Sequence, residues 1–444
     1  MSGRDAPLGS GWSRRQLLLG GGALTLAAAL PARASAGGAI RNATVLTHEG
    51  RRLVDHGLRF QDGRIVEIGP SSAMPADALD AAGAWLVPGF TDAGCKVGLV
   101  EVDLESASHD DDEATDAVTP DARVRDAYNP ASPVIPVTRA NGVTSVLVHP
   151  SNSSLISGQA AIFHTAGATV PEALVLAPAG LCINLGRAAV GAGRAGSPAS
   201  RMGVMMRLRA LFDAVQIPEE ADEHASSPKR RSKKDKAAAG KPDVKPDAEL
   251  SPADLAMRDL LRGRLPAILR AERADDVLAA IDLAKTWGLN AALLGGAEAH
   301  LVARQLAEAD LPVLLGPLTA QPSTFETLQT RYDNAAILHA AGVRLAFRTG
   351  AVHTSRTLPT SAGVAVAYGL PFEAAITALT SGVWQIFGDA SRGRMEQGAD
   401  ATFFLVDGDP LQPRYPVRRM WIGGAEVSLT TRQDRLAEQH RILR

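Results

Sequence analysis

The ten histidines are the first residues to consider for metal chemistry, because imidazole is a common metal ligand. No two of them stand at the His-x-His or His-x-x-x-His separation that lets one strand or helix hold an ion with two rings. His149 and His353 follow apolar, strand-like runs, which makes them weak candidate metal ligands. A single histidine at a strand end is more often a hydrogen-bonded structural residue, so the histidines alone predict no metal site.

A second group of ionisable side chains is the acidic run His109–Glu113. Carboxylates in this arrangement could bind Ca²⁺ or a transition metal, but the run lacks the spaced Asp or Asn residues and the glycine of a loop built for Ca²⁺. We therefore expect a solvated acidic loop and keep a metal site as the alternative.

The composition is that of a globular protein, with 45% hydrophobic and 21% charged residues in a chain of 444. That length is sufficient for one large barrel with a small satellite domain. The formal net charge of −2 gives no indication of a nucleic-acid partner or of an anionic membrane surface.

Residues 1–36 have the features of a twin-arginine signal peptide. Ser13–Leu19 carries the paired arginines, an apolar run continues to Leu30, and Ala34–Ala36 is a small-x-small cleavage site. The apolar run is shorter than a membrane span, and no cysteine follows it, so no membrane anchor is expected. We predict a periplasmic or secreted protein that is exported after folding.

Both ends of the mature chain contain short strands, which predicts a small β-sandwich built from residues 37–85 and 396–430. The Asp-Gly pair in Gln61–Arg64 lies between two apolar runs and predicts a hairpin. Residues 431–444 are expected to be a C-terminal tail.

Between these ends, residues 86–395 alternate short apolar runs with amphipathic stretches, which is typical of an α/β fold. With the flanking sandwich, the pattern favours a (β/α)8 barrel of the TIM type over an open doubly wound sheet. Ala274–Trp287 is predicted to be a helix that stops at Gly288, and Phe372–Phe387 repeats the pattern. Further strands are expected at Val143–His149, Ala160–His164, Leu181–Leu185, Pro266–Glu272, Ala291–Gly295, Pro312–Gly316 and Val343–Thr349.

Residues 216–251 interrupt this rhythm and are predicted to be a disordered surface insertion, since they show no apolar periodicity. The basic run Lys229–Lys236 could instead form a nucleic-acid or membrane patch. Charge runs flanked by acidic residues are usually only solvated, so we expect neither partner.

Several segments resemble the amidohydrolase superfamily, and in particular a secreted, imidazolonepropionase-like branch. The resemblance spans roughly residues 42–421, and the first segment that carries it is Trp85–Gly98, which is similar to the first barrel strand of that superfamily. The other segments that carry it are Pro120–Asp121, Asp126–Pro130, Ala140–Val146, Leu155–Gln159, Ser200–Gly203, Arg273–Asp276 and Gly398–Ala401.

The resemblance implies hydrolysis of carbon–nitrogen bonds other than peptide bonds, in cyclic amides or in N-acyl and dipeptide-like substrates. It also implies one or two divalent metals, such as Zn²⁺, that activate water. This sequence departs from the superfamily at each metal-ligand or proton-shuttle position compared, so it is degenerate and no metal is expected unless unrecognised ligands exist. The residues at or beside those positions, which we expect to line a pocket, are Gly94, Lys96, Cys182, Arg270, Glu272, Gly295, Arg348 and Gly350. The small size of the three glycines is expected to leave room there for a ligand or for water.

The cationic replacements allow two interpretations. Lys96, Arg270 and Arg348 could replace the lost metal charge and hold a small anionic or amide ligand. Alternatively, Lys96 and Glu272 pair with each other and fill a void, since buried charges are normally paired. If Gly94 and Lys96 point into the barrel, Cys95 points outward and Cys182 inward, so no disulfide is expected.

Three functional hypotheses follow, and the sequence leaves open whether the protein is an enzyme. The favoured one is a non-catalytic binding or partner subunit, working with an intact amidohydrolase paralogue or as a homo-oligomer. The second is a metal-independent hydrolase that uses Lys96, Glu272 or Cys182. The third is a metalloenzyme with unrecognised ligands.

Overall fold

The computed structural model describes residues 37–191, 193–215 and 250–441. The predicted signal peptide and nearly all of the predicted insertion lie outside the described residues. Within the described part of the chain, no helix is both long and apolar enough to cross a bilayer.

The strands run in chain order as β1 Gly38–Leu46, β2 Arg52–Gln61, β3 Arg64–Pro70, β4 Leu79–Asp80, β5 Trp85–Pro88, β6 Phe90–Cys95, β7 Val143–Val148, β8 Ile156–His164, β9 Leu174–Asn184, β10 Ala267–Ala271, β11 Ala291–Gly295, β12 Val313–Leu315, β13 Leu345–Phe347, β14 Phe403–Val406, β15 Val417–Ile422 and β16 Ala425–Glu426. The helices are α1 Val124–Ala127, α2 Val134–Arg139, α3 Val170–Ala173, α4 Arg201–Ala214, α5 Pro252–Leu261, α6 Ala274–Trp287, α7 Ala303–Glu308, α8 Asn334–Ala340, α9 Leu358–Ala367, α10 Phe372–Leu379, α11 Ser381–Ile386 and α12 Arg432–Arg441.

The two ends of the chain form one sheet, which we call the terminal sheet. Its strand order is β16-β15-β14-β5-β1-β2-β3, with β4 beside β1. The predicted hairpin joins β2 to β3, and Asp62 and Gly63 both adopt the positive φ angles that such a turn needs. The sequence placed the boundary between this sheet and the barrel after Trp85. In the structure the boundary lies at Gly89, because β5 pairs with β1 and β14.

The central residues form the predicted barrel, with strand order β13 to β6 in one eight-stranded sheet. The amide of Gly350 donates to the carbonyl of Gly94 at 2.9 Å and nearly closes the ring between its first and last strands. β8 departs from a strict strand–helix repeat, since it runs antiparallel to both β7 and β9. The carboxyl ends of the other strands therefore meet at one mouth.

The helix predictions were confirmed in one case and only in part in another. α6 has the predicted bounds and stops at Gly288, whose φ of 61° is left-handed. The segment predicted from Phe372 to Phe387 contains two helices, because Thr380 has the non-helical angles φ −126° and ψ −107°. The predicted C-terminal tail contains the exposed helix α12.

Apolar side chains form one layer between the barrel and its helices and another inside the barrel. Cys95 belongs to the outer layer and Cys182 to the inner one, so the predicted orientations are confirmed. Both thiols are free. The inner layer also contains Leu294 and Trp384, so the barrel is packed below its mouth.

Candidate functional site

A cavity of about 390 Å³ opens at the carboxyl ends of β10 to β13. This is the end at which barrels carry their sites. Five of the eight predicted pocket residues line it, namely Arg270, Glu272, Gly295, Arg348 and Gly350. The other three, Gly94, Lys96 and Cys182, are buried and are not part of its lining.

The glycines at the mouth do not leave room for a ligand, contrary to the expectation from their size. A Cβ atom at Gly295 would lie 2.6 Å from Oε1 of Glu272, and one at Gly350 would lie 2.7 Å from Nη2 of Arg348. A Cβ at Gly94 would lie 3.1 Å from Cδ1 of Leu294 and 3.4 Å from Cδ of Arg348. The side chains of Glu272, Arg348 and Leu294 therefore fill the space beside these glycines.

Glu272 is held in place by two donors. Its Oε1 accepts from Nη2 of Arg270 at 3.3 Å, and its Oε2 accepts from the backbone amide of Ala297 at 3.1 Å. The ion pair to Arg270 is largely buried, with side-chain exposures of 18% and 8%. Glu272 is thus already committed to protein partners at the cavity wall.

Arg348 is the least satisfied charged residue at the mouth. It is only 5% exposed, and its Nε and Nη1 atoms make no hydrogen bond to the protein. Burial lowers the pKa of Arg348 to about 10, with Glu272 opposing this shift and Arg270 adding to it. At neutral pH the guanidinium remains charged, with donors that have no acceptor.

The predicted ion pair between Lys96 and Glu272 is wrong. The ammonium of Lys96 instead lies 3.0 Å from Oδ2 of Asp111 and donates to the carbonyl of His149 at 2.9 Å. Burial lowers the pKa of Lys96, and the carboxylate of Asp111 opposes that shift. The sequence pattern did not reveal this partner, because Asp111 lies in a loop that folds back over the strand end.

The acidic run is correspondingly less solvated than expected. Asp111 pairs with Lys96, while Asp112 pairs with Arg194, whose side chain is only 7% exposed. Nη2 of Arg194 also donates to Ser153 at 2.9 Å. These contacts fix the loop to the barrel and leave two of its carboxylates committed to cations.

The two histidines named as weak metal candidates have different environments. His149 is buried, and its Nδ1 lies 2.8 Å from the carbonyl of Pro150, which must accept, so Nδ1 carries the proton. Its pKa lies well below the usual value because of burial and the nearby charges of Lys96 and Arg348. His353 lines the cavity, is 64% exposed in its side chain, and contacts Asp103.

Cys182 is a poor nucleophile in this environment. Burial raises its pKa to about 12, so the thiol stays protonated at neutral pH. Lys96 has two of its three N–H donors engaged and, like Cys182, is not part of the cavity lining. Of the three catalytic candidates, Glu272 alone borders the cavity.

Two residues that sequence reasoning did not assign to the site either interact with it or line it. Asp92 is fully buried, interacts electrostatically with Arg348, and accepts hydrogen bonds from the amides of Gly94 and Thr349, both at 3.1 Å, and from the Thr349 hydroxyl. Burial raises the pKa of Asp92 to about 6. Asn334, on α8, lines the cavity and is 1% exposed. Nothing in the spacing of the sequence marks Asn334, since α8 reaches the mouth only in the folded barrel.

The residues at the mouth do not fit a catalytic metal. Among the described residues, no group of three or more His, Cys, Asp or Glu side chains could hold an ion. Lys96, Arg270 and Arg348 place cationic groups at or next to the positions in question, which would repel a dication. The arrangement suits the binding of an anion better than the activation of water.

Comparison with solved structures shows which proteins this fold resembles. The barrel and terminal sheet match a solved amidohydrolase from Thermotoga maritima MSB8, with a TM-score of 0.76 at 28% identity over 88% of this chain and 99% of that one. A prolidase complexed with N-methylphosphonate-L-proline gives a TM-score of 0.54 at 18% identity, over 88% and 99% of the two chains, and shows the fold alone. No family model matches the chain.

A curated relative gives the same class from sequence. The amidohydrolase tasK of Hapsidospora irregularis is 26% identical over 380 residues, which cover 80% of this chain. The chain spans only 38% of the length of tasK. These likenesses in sequence and in fold support assignment to the amidohydrolase superfamily.

Proposed function

We propose that this protein is an exported member of the amidohydrolase superfamily, near its imidazolonepropionase-like branch, that binds a small anion at the barrel mouth and lacks the metal-dependent reaction. The observation that carries the proposal is the unpartnered guanidinium of Arg348 at the wall of the cavity. A buried cation without an acceptor is costly unless a ligand supplies one.

The charges of the cavity wall support this proposal. The permanently charged residues among its described lining are Arg270, Glu272 and Arg348. Among these lining residues Arg270 and Glu272 offset each other, which leaves Arg348 as the one uncompensated charge of the lining. The carboxyl of Asp92, which interacts electrostatically with Arg348, lies outside that lining. A guanidinium binds a carboxylate through two parallel hydrogen bonds when the anion lies in its plane.

Binding of hexanoate to the purified mature chain tests this function by isothermal titration calorimetry. We expect Arg348→Met to weaken hexanoate binding at least about tenfold, since a charge-assisted hydrogen bond contributes about 1.5–3 kcal/mol. Arg348→Lys should weaken it less, because the charge remains. Arg344→Met is the matched control, since it removes an exposed guanidinium from the other end of β13. Equal affinities in all four proteins would overturn the proposal.

The absence of the metal-dependent reaction is tested separately. Protein purified from the periplasm should contain less than about a tenth of an equivalent of Zn, Mn, Fe or Ni. It should also show no turnover of N-acetyl amino acids or of hydantoin, with or without added Zn²⁺. Stoichiometric metal together with turnover would contradict this part of the proposal.

A second candidate function is metal-independent hydrolysis of cyclic amides or N-acyl substrates, favoured by the position of Glu272 at the cavity wall. In that case turnover would be present in metal-free protein and would be lost in Glu272→Gln. Unchanged rates in that variant would exclude Glu272 as the catalytic group.

Export and partnership are also parts of the proposal. Replacing Arg14 and Arg15 by lysine should retain the protein in the cytoplasm, measured by cell fractionation. As a binding subunit, the protein should co-purify with an intact amidohydrolase paralogue or form a homo-oligomer. A monomer that purifies alone would remove the subunit role and leave anion binding intact.

A further inference from the structure

Besides Arg348, and Nε of Arg270, the described cavity wall contains a neutral side chain with an unsatisfied polar atom. Asn334 is 1% exposed, and its Oδ1 atom makes no hydrogen bond to the protein. Arg348 and Asn334 line the same cavity, and their free atoms have opposite character. Arg348 offers charged donors, and Asn334 offers a neutral acceptor.

The orientation of the Asn334 amide is fixed by its neighbours. Nδ2 donates to the carbonyl of Gly296 at 2.9 Å and to the carbonyl of Ala297 at 3.2 Å. Rotating the amide by half a turn would place its oxygen against two carbonyl oxygens, with no donor between them. Oδ1 is therefore the free atom, and it can only accept a hydrogen bond.

The rest of the wall restricts the ligand further. Within the described residues, no Phe, Tyr or Trp lines the cavity, so the wall offers no aromatic face for stacking. The volume of about 390 Å³ is near the lower limit of ligand pockets. Eight serine and threonine residues are among its described lining residues. These features suit a small, polar, aliphatic molecule.

We infer that the ligand is a small aliphatic carboxylate that also carries an O–H or N–H donor, as hydroxy acids and amino acids do. Its carboxylate is bound by Arg348, and its donor by Oδ1 of Asn334. The single negative charge of a carboxylate group matches the single positive charge of Arg348, which a phosphate dianion would exceed. The inference rests on the proposed anion binding, and it adds the second recognition group.

Three acids of one chain length separate the two recognition groups. Hexanoate has the carboxylate alone, 2-hydroxyhexanoate adds a hydroxyl, and norleucine adds an ammonium. By calorimetry on the unmodified mature chain, we expect one or both donor-bearing acids to bind at least about tenfold more tightly than hexanoate, since an unpaired buried acceptor is costly. Preference for 2-hydroxyhexanoate alone would identify a neutral donor, and preference for norleucine a cationic one.

Asn334→Leu tests the residue assignment, with thermal unfolding to check that the variant is folded. It should remove the preference among the three acids while leaving hexanoate binding in place. Equal affinities for all three acids in the unmodified protein would overturn the inference but leave the proposed anion binding standing. Failure of all three acids to bind would overturn both. A preference that survives in Asn334→Leu would exclude Asn334 as the acceptor.

Discussion

Two buried cations at the barrel mouth, Lys96 and Arg348, follow the first and last strands of the ring and have opposite surroundings. The ammonium of Lys96 has a carboxylate and a carbonyl within 3.0 Å. The guanidinium of Arg348 keeps two nitrogens without a partner and borders the cavity. The comparison shows that Lys96 forms an ion pair within the protein, whereas Arg348 has hydrogen-bond donors that remain available to a ligand.

The largest expected effect concerns the ion pair of Lys96. Asp111→Ala would leave Lys96 buried without its carboxylate, which should lower the free energy of unfolding by about 3–5 kcal/mol in urea titration. The double variant Lys96→Met, Asp111→Leu should recover most of that loss, because no unpaired charge remains. Glu308→Ala, which breaks an exposed pair to Arg304, is the control and should change little. A small loss in Asp111→Ala would mean that the pair is not structural.

The next effect concerns the buried carboxyl of Asp92, which interacts electrostatically with Arg348. Burial raises the pKa of Asp92 from 3.8 to about 6, so the folded state binds its proton more tightly than the unfolded state does. The stabilisation is therefore present below about pH 4 and is lost as the pH rises through about 6, by about 2–3 kcal/mol in total. Urea unfolding at several pH values, with Asp92→Asn subtracted, should show this decline. A difference that is flat or that rises with pH would contradict the assignment.

A smaller effect is expected where Glu272 fills the space above a glycine. Gly295 has a φ of 111°, and its Cβ would collide with the Glu272 carboxylate, so Gly295→Ala should cost about 1–3 kcal/mol of stability. Gly398→Ala is the matched control, because Gly398 also has a positive φ of 86° but has no atom near its Cβ position. Equal losses in urea titration would show that the contact with Glu272 adds nothing.

The smallest expected effect on stability concerns Arg348. Arg348→Met removes a buried charge that lacks hydrogen-bond partners, so stability should stay within about 0.5 kcal/mol or rise. Thermal unfolding of the ligand-free protein measures this. A large loss of stability would mean that Arg348 is structural, like Lys96, and the contrast between the two cations would fail.

Much of the fold could be predicted from the sequence because apolar periodicity records which faces are buried. The bounds of α6 and the terminal hairpin followed from local signals, namely helical spacing, a terminal glycine and an Asp-Gly turn. The direction of β8 could not be predicted, since an apolar run does not state whether its strand runs parallel or antiparallel. The break at Thr380 depends on backbone angles that the surrounding packing selects.

The site, like the fold, could be predicted only in part from the sequence. The positions of Arg270, Glu272 and Arg348 followed from the register of their strands, which flanking residues fix. Their partners did not follow, because Asp111 and Asn334 reach the mouth from a loop and a helix that are distant in sequence. The open space expected beside the glycines at the mouth was also wrong, since the size of a residue does not show which neighbouring side chain occupies the space beside it.

The joint at Gly89 has a consequence for how this architecture can be divided. β5 ends in the terminal sheet and β6 begins in the barrel, with one residue between them. The amide of Gly89 donates to the carbonyl of Thr402 at 3.0 Å, and a Cβ there would collide with the side chain of Thr144. The terminal sheet and the barrel therefore cannot be exchanged independently between related proteins. A chimaera joined at this point would have to keep the glycine and the strands that flank it on both sides.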